Sequence, residues 1–583
     1  MAEPMAPPSD LPMTGGSANT VAPSDGQQVA LRPAASVILL RDAPGGIEVF
    51  MVQRNRASAF VPGHHVFPGG ALDAADQDSA LHRLCVGHDD LSASRILRVP
   101  QGGLAFWVAA IRECFEEAGL LLAGHGPGSS RLELSAEQQR DVFQSWRARL
   151  NAGQASMLQL CQEFELMLLA DRLQYFSHWI TPIGNPRRFD TRFFVAEAPA
   201  DQAAMHDGAE AIDHVWVRPA QALDMHRQGR FPLVYATRTT LEQLADFGSV
   251  AQVLDHARKQ REVATIMPRI GHGRAGRRVI GPGEAVYAEI CKVDQFAPGQ
   301  ASYEIVPGQP ARLGPRLWRL TAPNPGYMTG PGTNTYLIGD ECGVTVIDPG
   351  PDEPAHLQRI LEVAPGPIRD ILVTHTHQDH SPGARYLREA TGARTIGWPT
   401  SMPNQDVRFQ PDYRPAHDER LDTAGCTLRV LHTPGHASNH LCYLWEAERL
   451  LFTGDHIMQG STVVISPPDG DMGTYLHSLE ALLREPVDWL APAHGFLMDE
   501  PQKVINQLME HRLRRESLIV RALRGNGAVH RDVLLARVYT QLPAPLVKVA
   551  ARTLLAHLLK LERENRVRRV DEDHWEFSDA AMS

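Results

Sequence analysis

The sequence has few of the features that mark specialised chains. Its 583 residues include only 7 cysteines, an odd number, spread from Cys85 to Cys442 with no C-x-x-C pair. That argues against a disulfide framework and a cysteine-type zinc site, and it suits reduced thiols in a cytoplasmic protein. No apolar run reaches the length of a membrane span, so no membrane partner is expected. There is no excess of positive charge: 57 Lys and Arg face 68 Asp and Glu, a net charge of -11. A chain that coats nucleic acid or anionic lipid as a whole is thereby excluded, although a local basic face is not. Internal repeats are absent. Residues 1–28 lack both the basic start and the apolar stretch of a signal peptide; rich in Pro, Ser, Gly and Ala, they read as a disordered tail.

What remains is an ordinary globular composition, 43% hydrophobic and 21% charged, in a chain too long for one core. Ser36–Leu40 and Glu48–Val52 read as strands around a Pro-Gly-Gly turn. Residues 105–122 carry apolar positions at helical spacing, and a second helical stretch is expected over 136–172. Strands return at Phe176–Thr181, Asp190–Ala196 and His214–Val217, followed by a helix near 238–258. A Gly/Pro/Arg-rich region, 267–283, suits a domain edge. Strands alternate with helices from about 315 to 500. Beyond 503 come helices and a short Val567–Phe577 segment with the look of a β-wing.

The most informative run is Thr374-His375-Thr376-His377-Gln378-Asp379-His380, directly after the apolar Ile371-Leu372-Val373. Imidazole and carboxylate suit zinc and related ions. A strand ending in such a cluster places it where open α/β folds bind substrates. His436, Asp455 and His494 each follow another apolar stretch beside a Gly or a turn. Seven ligands suffice for two metals with a position left for water. His432, His440 and His456 lie nearby and read better as packed or supporting side chains.

The order H-x-H-x-D-H, His, Asp, His resembles the metallo-β-lactamase-fold hydrolases. Thr333–Leu337 and Val346–Gly350 resemble that fold's opening strands. The resemblance implies that His375, His377 and His436 hold one zinc, that Asp379, His380 and His494 hold a second, and that Asp455 bridges them. Such a pair activates hydroxide at neutral pH, with Asp379 also orienting it. Asp455 and His494 are 39 positions apart, too close for the inserted domain of the β-CASP branch. His511–Glu516 with the helices after it, Gly460–Val464 and Asp471–Leu479 resemble the beta-lactamase-like protein 2 family, whose animal members cut single-stranded RNA. Residues 511–583 hold 14 Lys and Arg against 9 Asp and Glu, with Arg563, Arg566, Arg568 and Arg569 close together. A basic winged helix can track phosphates. No aromatic series accompanies the arginines, so a stacking platform for single strands is not written there.

Nearer the start, Arg112-Glu113-Cys114-Phe115-Glu116-Glu117-Ala118-Gly119-Leu120 falls in the expected helix. Glu113, Glu116 and Glu117 share one face, and three acids there call for a hard cation. The order resembles the second half of a Nudix box. The box's upstream Gly and Glu are replaced by Arg98 and Leu104; Phe67-Pro68-Gly69-Gly70 lies far upstream instead, beyond an insert of about thirty residues. That split is similar to the CoA-diphosphatase branch, which Phe176–Pro182 and Arg187–Thr191 also resemble. By this resemblance Glu116 and Glu117 hold Mg²⁺ or Mn²⁺, Glu113 is a ligand or the general base, and Arg112 orients the carboxylates. Glu210 is a further candidate.

The expected architecture is multidomain α/β: a tail (1–30), a Nudix α/β/α sandwich (31–260), an extension (261–314), a metallo-β-lactamase αββα sandwich (315–502) and a winged-helix-like domain (503–583). The expected function is a dinuclear, zinc-type hydrolase, an endoribonuclease on single-stranded RNA, joined to a Mg-dependent hydrolase of a diphosphate or CoA-type small molecule. The alternatives are a thioesterase on acyl-CoA or glutathione thioesters, and a Nudix-like half that only binds. The oligomeric state is left open.

Overall fold

The computed structural model describes residues 29–57, 61–126, 132, 138, 142–207, 211–295, 299, 301–424, 426–540 and 542–578. The expected tail over 1–28 and Glu210 lie outside them. Contacts divide the described chain into two units. One runs to Ile270 and includes 277–282; the other takes 271–276 and everything from Gly283. Among the described residues no helix is long and apolar enough to cross a membrane.

In the first unit the strand Leu31–Ala43 lies at the centre of a mixed sheet. It pairs in parallel with Arg188–Glu197 and antiparallel with Gly46–Arg54 and Gly69–Ala71. Successive side chains on a strand face opposite sides. Val37 and Leu39 therefore pack with the helix Leu104–Ala118, while Ile38 and Leu40 pack with Leu241, Leu244, Val250 and Val253 on the other face. That gives the α/β/α sandwich. The long helix expected over 136–172 is broken: Gln144–Asn151 and Met157–Glu163 are separate helices, the second capped by Ser156. Ser249 likewise starts a new helix, Val250–Lys259, and divides the segment near 238–258.

In the second unit two sheets face each other. One is ordered 310–314, 317–321, 334–340, 343–347, 368–372, 394–396, and the other 420–423, 426–432, 441–445, 450–454, 489–492. Tyr336, Ile347, Leu428, Tyr443 and Phe452 fill the space between them. The helices Pro354–Val363 and Gly383–Thr391 cover the outside of the first sheet. Met472–Leu482 covers the second. The helix Pro501–Leu523 then leads into Arg531–Val538, Val547–Arg563 and a wing of Val567–Arg569 and His574–Phe577, around Ile519, Leu554 and Trp575.

Candidate metal centre and acid cluster

The strands Ile368–Leu372, Cys426–His432, Leu450–Gly454 and Trp489–Pro492 all end on one side of the sandwich, and the loops that follow converge. His375, His377, His436 and Asp455 have donor atoms within 4.8 Å of one another; so do Asp379, His380 and His494. All seven ligand candidates come together. Asp455 links the groups, with Oδ2 3.6 Å from His436 Nε2 and Oδ1 3.1 Å from His494 Nε2.

The rings are oriented from behind. His436 Nδ1 donates to the Val464 carbonyl at 2.7 Å, and His494 Nδ1 to the Gly332 carbonyl at 3.1 Å. His380 Nδ1 donates to Asp348 Oδ2 at 3.0 Å. In each case the Nε2 atom is left facing the centre, the usual way a supporting oxygen fixes a ligand's tautomer. His377 is reversed: its Nδ1 lies 2.9 Å from His375 Nε2 and 3.0 Å from His436 Nε2. Asp348 is a supporting residue that sequence reasoning left without a role. It holds φ at 49°, uncommon for a non-glycine residue, and its carboxylate also takes the Thr374 amide and hydroxyl. The signal was present, as the acid closing Val346-Ile347-Asp348.

The charge distribution suits cations. Burial, and the neighbouring histidines after it, hold His375 well below its ordinary pKa and bring His377 down to about 4, so both are neutral donors. Burial disfavours charge on Asp455 too, yet His494 and His380 hold its carboxyl well below the carboxylate range. Burial opposes protonation of His494, but Asp455 and Asp379 raise it to about 9. In the buried interior His380 Nε2 and Asp455 Oδ1 make no well-formed hydrogen bond, although they lie 3.6 Å from each other and Oδ1 lies 3.1 Å from His494 Nε2. Unsatisfied buried polar atoms aimed at one space are what a divalent cation requires, so the donor set fits two such ions. His440 is buried behind the centre, and its Nε2 accepts the Asp455 amide at 3.2 Å. Gly454 makes that possible: its φ is +49°, and a Cβ there would lie 2.6 Å from His440 Nε2. His456 packs on Tyr475 and His432 on Trp398, both as supporting groups.

In the first unit the separated halves of the acid motif meet. Gly69 N donates to Glu117 Oε2 at 2.9 Å, and a Cβ on Gly70 would strike Glu113 Oε1 at 2.3 Å. The buried Arg112 is the hub. It contacts Glu113 at 2.8 Å and Glu116 at 2.7 Å through Nη1. It also makes a two-pronged pair with Asp76 through Nε at 2.9 Å and Nη2 at 3.0 Å. The acidic face is therefore compensated by this arginine, whose Nη1 Glu113 and Glu116 share, while Glu117 takes the Gly69 amide. Sequence reasoning missed Asp76, whose short 3-10 helix lies in the insert. Its place is legible only in the fold, where it is buried against Arg112. Burial pushes the Glu116 carboxyl above its usual range despite Arg112.

Comparisons with known proteins agree with this division. The sequence matches the metallo-beta-lactamase superfamily over 328–494, the NUDT19 Nudix domain over 92–235 and the beta-lactamase associated winged helix domain over 532–575. A beta-lactamase-like protein 2 homolog of Drosophila melanogaster is 32% identical over 281 residues, 44% of this chain and 91% of that protein. An atrochrysone carboxyl ACP thioesterase of Aspergillus chevalieri is also 32% identical, over 44% of this chain and 84% of its own length. Among solved structures, a beta-lactamase domain protein from Burkholderia ambifaria is similar at 21% identity and a TM-score of 0.43, covering 47% of this chain and 96% of that one. A NUDIX hydrolase from Alicyclobacillus acidocaldarius is similar at 25% and 0.34, covering 39% and 96%.

Proposed function

The chain belongs to the metallo-β-lactamase superfamily, as a relative of beta-lactamase-like protein 2 that also carries a Nudix domain and a winged helix, and on that premise we propose that its second unit is a dinuclear hydrolase of acyl thioesters. The observation carrying the hydrolase reading is the convergence of seven donors on a buried space with two unsatisfied atoms. His375, His377 and His436 would hold one zinc, and Asp379, His380 and His494 the other, with Asp455 between them. Bound there, the ions would supply Lewis acidity and lower the pKa of the attacking water. Asp379 is the acid of this set most open to solvent, 27% exposed at its side chain, and it accepts the Thr333 hydroxyl at 3.3 Å. On this reading it would orient the attacking water. The carbonyls behind the histidines keep their rings from turning as charge develops.

The thioester reading is supported by the pairing of the four arginines clustered at the end of the tail. Arg563 reaches Asp471, Arg566 lies near Glu516 and Glu564, and Arg568 pairs with Glu576. Arg569 donates to the carbonyls of Asp571 and Glu572. Phosphate tracking needs free cations. The likeness to an atrochrysone carboxyl ACP thioesterase points the same way. RNA cleavage is the second reading, favoured by the winged helix and the beta-lactamase-like protein 2 relative.

The first unit is proposed to cleave a diphosphate of the CoA type. Glu116 and Glu117 would hold Mg²⁺ or Mn²⁺, Glu113 would be a ligand or the base, and Arg112 the orienting group. Mg²⁺ commonly takes only one or two protein carboxylates and fills its shell with substrate phosphate and water. The test is a hydrolysis screen of purified protein against acyl-CoA, free CoA, nucleoside diphosphate derivatives and single-stranded RNA. Thioester turnover that disappears in Asp455→Ala supports the proposal. RNA cleavage lost in the same variant, without thioester turnover, replaces it with the second reading.

A further inference from the structure

A third group of donors lies in the first unit, apart from the acids on the helix Leu104–Ala118. His206 Nδ1 and His214 Nδ1 are 2.7 Å apart, and an Asp213 carboxylate oxygen lies within 4.8 Å of ligand atoms on both rings. We propose that His206, Asp213 and His214 form a separate site for a borderline divalent cation of the zinc, cobalt or nickel class.

The two ring nitrogens point at a common place, and the space between them has room for one proton or one shared ligand. The same approach of ring nitrogens, at 2.9 and 3.0 Å, occurs among His375, His377 and His436, where the donor set fits a metal. The positions of the donors are also fixed independently of each other. His214 sits in the strand Ala211–Val217 opposite Val52, and its ring lies against the buried Phe50 at 5.5 Å. His206 follows Met205, whose amide donates to Ala118 O at 2.9 Å and whose carbonyl accepts Arg147 at 2.9 Å. Two segments far apart in hydrogen-bonding pattern thus present their rings to each other, tilted by 41°.

The chemistry of the donors selects the cation. Two imidazole nitrogens and one carboxylate oxygen suit zinc and its neighbours, whereas Mg²⁺ and Ca²⁺ prefer oxygen throughout. Arg147 is a positive group that acts on His214, and it is itself faced by Asp207, Glu117 and Glu116. Three protein donors leave a position for water or substrate. A cation there would tie the segment carrying His206 to the edge of the sheet, next to the end of the acid-bearing helix that Arg147 also grips through the Glu116 carbonyl at 2.9 Å.

The test uses the full chain, stripped of metal and titrated with Co²⁺ in millimolar Mg²⁺, which occupies the proposed Glu116 and Glu117 site and keeps Co²⁺ out of it, with bound equivalents counted after desalting. The inference goes beyond the proposed activities, and its count separates it from them: three equivalents are expected in the native protein, two in His206→Gln and two in His214→Gln. A chain carrying His375→Ala and Asp455→Ala should keep one equivalent, which His206→Gln then removes. His206→Gln is the safer variant for folding, because its ring packs on His214 rather than in the core; its metal-free circular dichroism and melting temperature should match the native protein. The cobalt spectrum should show nitrogen and oxygen ligation without a thiolate charge-transfer band. Equal equivalents in the native protein and both histidine variants would overturn the proposal. So would a thiolate band on the third equivalent, which would assign it to a free cysteine such as the exposed Cys342.

Discussion

The guanidinium of Arg512 donates to the carbonyl of Val463, one residue before the carbonyl that orients His436. Arg512 is 3% exposed and also lies 5.5 Å from the Tyr475 ring. On the other side of His436, the Asp471 amide donates to Gly435 O at 2.8 Å, and the Asp471 carboxylate receives Arg563. Two arginines of the C-terminal segment thus fix the backbone on both flanks of one metal-ligand candidate.

Replacing Arg512 by Met should therefore weaken metal retention. Groups that orient ligands typically contribute 10- to 100-fold to affinity, and a loss of about 10-fold is expected at the ion held by His436. Equilibrium dialysis against a graded chelator measures it, and unchanged retention would show that the carbonyl keeps its place unaided.

Asp455→Ala removes the carboxylate between the two groups. Its effect should exceed that of any orienting residue, with thioester turnover down by more than about 100-fold and less than two equivalents of metal retained. Turnover and metal content are measured on the same preparation.

Gly454→Ala should destabilise the second unit. The left-handed backbone and the 2.6 Å approach to His440 both oppose a side chain, and such strain costs about 1–3 kcal/mol. A lower melting temperature by calorimetry is the expected result; a tolerated alanine would mean that His440 can withdraw.

His65 carries a pH dependence. Burial against the Phe231 ring, 3.6 Å between centroids, lowers its pKa to about 4. Above pH 6.5 neither the folded nor the unfolded form is protonated, so no stability is at stake. As pH falls from 6.5 towards 4 only the unfolded form gains the proton, and stability is lost. Between pH 8 and pH 5 the loss comes to about 2 kcal/mol by linkage. His65→Phe should remove that part of the acid sensitivity in denaturant titrations of the first unit's transition.

Asp76→Ala leaves the buried Arg112 without its two-pronged partner. Breaking a buried pair from one side costs about 3–5 kcal/mol. Divalent-dependent diphosphate hydrolysis should fall together with stability, and Asp76→Glu should restore part of both. A variant of normal stability and activity would show that Glu113 and Glu116 suffice to hold the arginine.

Most of the centre in the second unit could be anticipated, because its ligands follow strands and come in short runs: His375, His377, Asp379 and His380 need only one turn to be neighbours. What holds them could not. Val464 and Gly332 act through backbone carbonyls, which any residue supplies, and Arg512 acts from a helix some fifty residues away. The first unit was harder for the same reason. Glu113 and Glu117 were visible on a helix face, but Asp76 reaches Arg112 across an insert whose length hides the pairing. Helix limits were misjudged where polar residues interrupted an apolar pattern, as at Ser156 and Ser249, because capping by a single hydroxyl outweighs a weak periodicity.

The apolar cluster beneath the helix Met472–Leu482 includes Ile505 and Ala556 along with Leu476 and Leu479. The winged-helix segment is therefore partly interior to the sandwich it follows. Proteolytic nicking or gene rearrangement near 502 would not release a smaller working enzyme. It would leave an oily scar beside the loop that carries His436, and the two pieces would be selected, and inherited, as one.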